Sequence, residues 1–227
     1  PDGTGQRGDS GSSKSTMILQ INSDHPQPRR LDQVVETLDE GGLIAYPTDT
    51  VYGIGCDIFN KEAVERLHRL VSEIKEAPNH SPLSFICRDL SNIAEYAHVS
   101  DYAYRTLKRM LPGPYTFVLE ATKLVPKVML NKRKTVGIRV PDHTVPTSIV
   151  ERLRNPIATT SATHPDGDLI PDPWTIEELY GHAVDIVIDG GYVFPEPSTV
   201  IDFSGDYPQL IRKGKGPVGD LEYVELI

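Results

Sequence analysis

The chain has 227 residues, 38% hydrophobic and 24% charged, which suits a folded core and not a disordered composition. A formal net charge of −9 excludes a nucleic-acid binder held by bulk charge, though not one with a local basic patch. The only two cysteines, Cys56 and Cys87, exclude a disulfide framework and a cysteine zinc set; they are expected as buried thiols in a reducing compartment.

Residues 1–16, PDGTGQRGDSGSSKST, are polar and rich in Gly and Ser and are expected to form a flexible tail. The chain opens on Pro1 rather than Met, so an upstream vector sequence or organelle transit segment is expected to have been removed. The Arg7-Gly8-Asp9 triplet is read as coincidence within that tail. No apolar stretch approaches the ~20 residues of a membrane-spanning helix. No secretory signal is visible.

Residues 17–21 alternate weakly, as an edge strand does. Apolar residues at 31, 34, 35 and 38 predict a helix over 29–39, ended by Gly41-Gly42. The run 43–46 reads as a buried strand that stops at Pro47. Thr48, Asp49 and Thr50 follow, and Tyr52, Gly53 and Gly55 are read as turning the backbone; such glycines also let a ligand or another backbone approach closely. A helix is predicted over 61–71, an exposed loop over 72–81 and a strand over 83–87. Two short helices, 93–97 and 102–111, come next, the second stopped by Pro112-Gly113-Pro114. Strand 115–121, an undecided stretch 125–130, strand 135–140, helix 146–153, strand 157–160 and helix 175–180 follow. The late strands are 186–188, 198–203 and 209–212. No internal repeat is evident. Strands and helices interleave without strict alternation, which argues for a mixed sheet with helices packed on it.

Hydroxyls and a carboxylate at a buried strand end are costly unless hydrogen-bonded or functional. That singles out Thr48, Asp49 and Thr50. Asp49 suits an ammonium, an indirect Mg²⁺ contact or a turn cap. Arg139 ends an apolar strand and needs a partner, either a structural carboxylate or a ligand; Thr135 stands on the same strand face. Lys127, Lys132, Arg133, Lys134 and Arg139 cluster within thirteen positions, a solvated loop or a contact for phosphates and RNA. The histidines, among them His68, His80, His98, His143 and His164, lack metal-ligand spacing, and no Ser/His/Asp set is indicated. Gly214-Lys215-Gly216 lacks the spacing of a Walker phosphate loop.

Read whole, the chain from about Leu31 to Gly216 resembles the YrdC-like family, the threonylcarbamoyl-AMP synthases and their relatives, nearest the YciO-like branch. PTDTVYGIG at 47–55 and PGPYTFVL at 112–119 are similar to family motifs. KTVGIRVPDH at 134–143, TTSAT at 159–163, PSTVID at 197–202 and IRKGKG at 211–216 complete the set in order. The resemblance implies an α/β fold, an open, twisted mixed sheet with flanking helices around a large concave cleft, taken as one domain over 17–227. It also implies an activity: L-threonine, bicarbonate and ATP, with Mg²⁺, give threonylcarbamoyl-AMP and pyrophosphate. The product feeds the t6A modification of tRNA at adenosine 37.

Carried over residue by residue, the resemblance puts Lys75 on the phosphates as the catalytic cation. Ser81, Thr135, Thr163 and Arg212 join it around ATP. Thr50, Arg139, Ser161 and Ser198 fall around the threonine, with Arg139 on the carboxylate. Three positions depart from the synthase pattern: Ala77 for an arginine, Ile86 for a histidine and Thr163 for an asparagine. Losing a charged hydrogen-bonding group costs about 1.5–3 kcal/mol of ligand binding, so weakened or altered activity is expected. Two further readings stay open. One is a non-catalytic protein that binds tRNA, double-stranded RNA or the ribosome with the same fold; the other is an interaction protein without ligand. A cytoplasmic location is expected, with an organelle as the alternative.

Overall fold

The computed structural model describes residues 16–75, 83–219, 221 and 224–225. Among the described residues twelve strands form one open, mixed sheet. They are β1 (Met17–Gln20), β2 (Ile44–Tyr46), β3 (Gly53–Asp57), β4 (Ser84–Ile86), β5 (Ala97–His98), β6 (Tyr115–Ala121), β7 (Thr135–Arg139), β8 (Ile157–Ser161), β9 (Ile186–Asp189), β10 (Thr199–Asp202), β11 (Gln209–Arg212) and β12 (Val224–Glu225). The order is β1-β9-β2-β3-β8-β4-β7-β6-β10-β11-β12, with β5 paired to β6 off this path. The antiparallel run β2-β3-β8-β4 lies between parallel pairs at β9–β2 and β4–β7.

Six α-helices among the described residues cover the sheet: α1 (Pro28–Asp39), α2 (Lys61–Lys75), α3 (Leu90–Tyr96), α4 (Asp101–Met110), α5 (Thr144–Leu153) and α6 (Pro173–Tyr180). Strand alternation sends side chains into two cores. Ala45, Ile54, Phe85 and Phe117 pack with α2, α3, α4 and α6. Ile44, Tyr46, Ile86 and Ile157 pack with Leu31, Val34 and Leu38 of α1 and with Val145 and Ile149 of α5. Cys56 and Cys87 are buried free thiols, and burial raises both above the usual thiol range. No helix among the described residues is long and apolar enough to cross a membrane.

Four differences from the expected elements have physical causes. Residues 53–57 form strand β3, not a turn; the reversal is made earlier by the Thr48 hydroxyl. Thr48 Oγ1 accepts from Thr50 N at 3.1 Å and Val51 N at 3.2 Å and donates to Val51 O at 2.6 Å. Gly55 serves close approach instead: a Cβ there would stand 2.4 Å from the Ala158 carbonyl of β8. Helix α2 runs past 71 to Lys75 because Leu70, Val71 and Ile74 continue its buried stripe. Helix α6 begins at Pro173, since Asp172 caps it by accepting from Thr175 N at 2.9 Å. Thr16, placed in the polar tail by composition, donates to Gly181 O at 2.9 Å.

Candidate functional site

The sheet face at the ends of β3, β4, β6, β7, β8, β10 and β11 encloses a cavity of about 380 Å³. Its floor is kept hollow by small residues. A Cβ at Gly137 would stand 2.8 Å from Ser84 Oγ. Around this floor stand the hydroxyl, amide and guanidinium groups of Thr48, Thr116, Asn131, Thr135, Arg139, Thr159, Ser161, Ser198 and Arg212.

One end is built on Arg139, at the end of β7, whose side chain is 9% exposed. Its Nη2 donates to Asp49 Oδ1 at 3.0 Å and to Thr50 Oγ1 at 2.8 Å. Asp49 Oδ2 accepts from Asp142 N at 3.1 Å, and the Thr48 and Thr50 hydroxyls are 3.1 Å apart. Burial pulls the Arg139 guanidinium below its usual range, and Asp49 pulls it back up. Arg139 Nε is buried and has no partner among the described residues. Lys215 reaches across the same turn and donates from Nζ to the Asp49 carbonyl. Asp49 is thus the partner of Arg139.

The other end is built on Arg212, at the end of β11. Its Nε and Nη2 donate to Ser198 O at 3.1 and 2.9 Å, and Nη2 also donates to Ser198 Oγ at 3.1 Å. Ser198 Oγ lies 2.8 Å from Thr116 Oγ1. Arg212 is exposed as a residue, and partial burial of its guanidinium moves it below its usual range. No carboxylate pairs with it among the described residues. Ser161 and Arg212 also border a second hollow of about 500 Å³, which Thr163, Asp166 and Pro197 line. Thr163 Oγ1 is buried with no partner among the described residues, while its carbonyl accepts from Tyr180 OH at 2.6 Å.

Of the residues singled out in the sequence, Thr135, Arg139, Ser161, Ser198 and Arg212 line the cavity. Thr50 meets it through Arg139, and Thr163 lines the adjoining hollow. Helix α2 brings the Lys75 backbone to the rim of that hollow, since Ile74 lines it; the Lys75 side chain, Ala77 and Ser81 lie outside the described residues. Ile86 is fully buried in the core under α5 and does not line the cavity. The basic cluster divides. Arg139 faces inward, whereas Lys127, Lys132, Arg133 and Lys134 are exposed, with Arg133 at 4.0 Å from Asp202.

Sequence reasoning gave no role to Asn131, Ser84 or Thr116. Asn131 Oδ1 accepts from Thr135 N at 3.0 Å, and its Nδ2 donates to Thr135 Oγ1 at 2.8 Å, so it orients that hydroxyl. Its only sequence signal was a polar side chain four residues before Thr135. Ser84 and Thr116 were visible as the hydroxyl residues of short strands, facing opposite to the core residues Phe85 and Phe117.

Comparison with known proteins decides the family. The Sua5/YciO/YrdC profile, described as telomere recombination, matches residues 36–214. The chain belongs to the Sua5/YciO/YrdC family. A protein of Escherichia coli K12 named YciO, described as uncharacterized, is 40% identical over 205 residues, covering 89% of this chain and 98% of the relative. The E. coli YciO crystal structure superposes with a TM-score of 0.85 at 39% identity, covering 91% and 100% of the two chains. A threonylcarbamoyl-AMP synthase of Pyrococcus abyssi is 34% identical over 191 residues, covering 82% of this chain and 54% of the relative. The crystal structure of P. abyssi Sua5 with L-threonine matches with a TM-score of 0.81 at 28% identity, covering 92% of this chain and 62% of that one. The open mixed α/β sheet expected from the YrdC-like motifs is therefore the observed one, and the YciO likeness is the stronger of the two.

Proposed function

We propose that this chain is an ATP-dependent enzyme of the L-threonylcarbamoyladenylate synthase type, with activity reduced or redirected by its altered motif residues. One observation carries the reading: Thr135, Arg139, Ser161, Ser198 and Arg212, spread over some eighty residues, line a single cavity. Family membership, a relative named threonylcarbamoyl-AMP synthase and a Sua5 structure holding L-threonine support it.

The reaction joins the threonine amine to bicarbonate as a carbamate, with loss of water. A carbamate oxygen then attacks the α-phosphorus of ATP, and the bond to the β-phosphate oxygen breaks to release pyrophosphate. The free Nε–H of Arg139 and the hydroxyls of Thr50, Ser161 and Ser198 suit the threonine carboxylate and amine. Arg212 offers a cation with no carboxylate partner among the described residues to the phosphates, with Thr135 and Thr163 as hydroxyl donors; the reading also assigns Lys75, the last residue of α2, and Ser81 to ATP. Holding both reactants in one cavity supplies the orientation for in-line attack. Among the described residues no group of three or more His, Cys, Asp or Glu is placed to hold a metal ion. Mg²⁺ belongs to this reading as part of the substrate, magnesium ATP. The reading places the protein in the cytoplasm, supplying the t6A modification of tRNA.

The test is incubation with magnesium ATP, bicarbonate and each amino acid in turn, followed by assay for pyrophosphate and a carbamoyl-adenylate. Both should appear and fall away in Lys75→Ala; absence of both with every amino acid overturns the reading. The exposed Lys127, Lys132, Arg133 and Lys134 favour the alternative, a non-catalytic RNA- or ribosome-associated protein. That alternative requires salt-sensitive binding of tRNA or double-stranded RNA without nucleotide turnover.

A further inference from the structure

The excess negative charge of this chain is confined to one stretch. Residues 155–211 hold ten Asp or Glu and no Lys or Arg; the remaining residues hold 22 Asp or Glu and 23 Lys or Arg. Within that stretch lie three of the most exposed large apolar side chains of the molecule, Trp174 at 60%, Tyr192 at 68% and Phe194 at 75%. The backbone brings their segments together. Val193 N donates to Pro171 O at 2.9 Å, which ties the segment bearing Tyr192 and Phe194 to the residues that lead into α6 and Trp174. Glu196 N donates to Thr50 O at 3.2 Å and Tyr52 OH to Gly191 O at 2.7 Å, so the same segment runs beside the cleft.

Acidic and aromatic side chains interleave in two registers. On α6, Trp174 and Glu178 are exposed one helical turn apart, so they occupy one face. Between 192 and 196 exposure alternates, with Tyr192, Phe194 and Glu196 outward and Val193 and Pro195 half-buried. The carboxylates of Glu178, Glu196, Asp166 and Asp168 have no ion-pair partner among the described residues. An aromatic ring beside a free carboxylate is matched by a cation that stacks on the ring and pairs with the acid, which an arginine guanidinium does best. Nucleic-acid bases would also stack on these rings, but residues 155–211 offer their phosphates carboxylates and no Lys or Arg, the nearby Arg212 and Lys215 being turned to the cleft and the Asp49 turn. A face-to-face dimer through this patch would oppose like charges.

We propose that the surface of Trp174, Tyr192 and Phe194 with Glu178 and Glu196 docks an arginine- and lysine-rich segment of a partner protein, beside the mouth of the cleft. This is independent of the chemistry proposed for the cavity. Trp174 is the only tryptophan, so its fluorescence reports on this surface alone. The probe is a synthetic peptide of Arg-Gly-Lys-Gly repeats titrated into the full chain, with a Glu-Gly repeat of equal length as control. The expected result is a saturable change in Trp174 emission with the basic peptide only, weakened by salt. Tyr192→Ser with Phe194→Ser leaves the charge unchanged and should weaken binding about tenfold, the loss of two exposed cation–π contacts. Glu178→Gln with Glu196→Gln should also weaken it while leaving far-ultraviolet circular dichroism unchanged. No emission change, equal binding by the Tyr192→Ser/Phe194→Ser variant, or an equal response to a single-stranded RNA oligonucleotide overturns the proposal. So does an emission change that follows protein concentration alone, which would make a second copy the occupant.

Discussion

Two arginines line the same cavity and are held in opposite ways. Arg139 is buried and ion-paired: Asp49 takes one of its donors, Thr50 shares it, and Lys215 ties down the turn that carries both. Arg212 is half-exposed and leans on the carbonyl and hydroxyl of Ser198, neutral acceptors that leave its charge uncompensated. A buried guanidinium without a counter-charge is prohibitive, so the fold supplies Asp49. A half-solvated one carries no such penalty, and its field remains for an anion. The cavity is therefore pre-neutralised at one end and electropositive at the other, and the two ends should fail differently.

The largest effect is expected from Asp49→Ala. Removing one partner of a buried pair costs about 3–5 kcal/mol because the other charge is stranded. The variant should show that loss in urea denaturation; Arg139→Met strands the Asp49 carboxylate instead, and should be milder because that group keeps the bond from Asp142 N. If Asp49→Ala is as stable as the wild type, the pair does not hold this end together.

Arg212→Ala is the counterpart. It removes bonds to neutral acceptors at a half-exposed site, so stability should fall by about 1 kcal/mol or less. Nucleotide affinity should fall by about 1.5–3 kcal/mol, the worth of a charge-assisted contact, with partial rescue in Arg212→Lys. Isothermal titration with ATP alongside denaturation separates the two quantities. A variant crippled in stability but normal toward ATP would reverse the roles given to the two arginines.

The arginines also mark how far the sequence could be read. Arg139 was legible because an arginine in an apolar strand demands a partner, and its two candidate partners could be named in advance. Which one was present was not legible, since Asp49 lies ninety positions away and only the β2–β3 turn brings it near. The helices with clean apolar spacing, α1 and α2, were legible from their buried stripes. Strand β3 was not: Gly-Ile-Gly looks like a turn until the backbone of β8 is laid against it. Asn131 was invisible for a related reason, as its role depends on a loop folding back on Thr135. The cavity could be anticipated from its motif residues, but its electrostatic asymmetry depends on pairings made only in three dimensions.

The adjoining hollow sharpens the comparison at smaller scale. Thr163 Oγ1 is a buried donor and acceptor without a partner among the described residues. Thr163→Val keeps the shape and deletes that hydroxyl. The ligand-free protein should be unchanged or stabilised by about 1 kcal/mol, since an unsatisfied polar group is removed. If a nucleotide completes the hydroxyl's bonding, the same variant should bind ATP more weakly. A gain in ligand-free stability with no change in ATP affinity would separate this hollow from the nucleotide.

The smallest effect concerns the neutralised end and its response to pH. His143 caps α5, its Nδ1 accepting from Val145 N at 3.2 Å. Burial pulls its pKa below 6.5, although Asp49, Asp142 and Asp24 pull it up. Protonation would turn the capping acceptor into a donor and place a cation where the fold disfavours one. Below the usual histidine pKa of 6.5 the unfolded chain takes up the proton first, so His143 costs stability as pH falls from there toward its depressed folded value. Above 6.5 its contribution is constant. His143→Asn keeps a capping oxygen and removes the titration, so its denaturation midpoint should fall less than that of the wild type on going from pH 7.5 to about 5.5. Equal slopes would show that the cap titrates as it does in the unfolded chain, and that the buried pair nearby does not sense it.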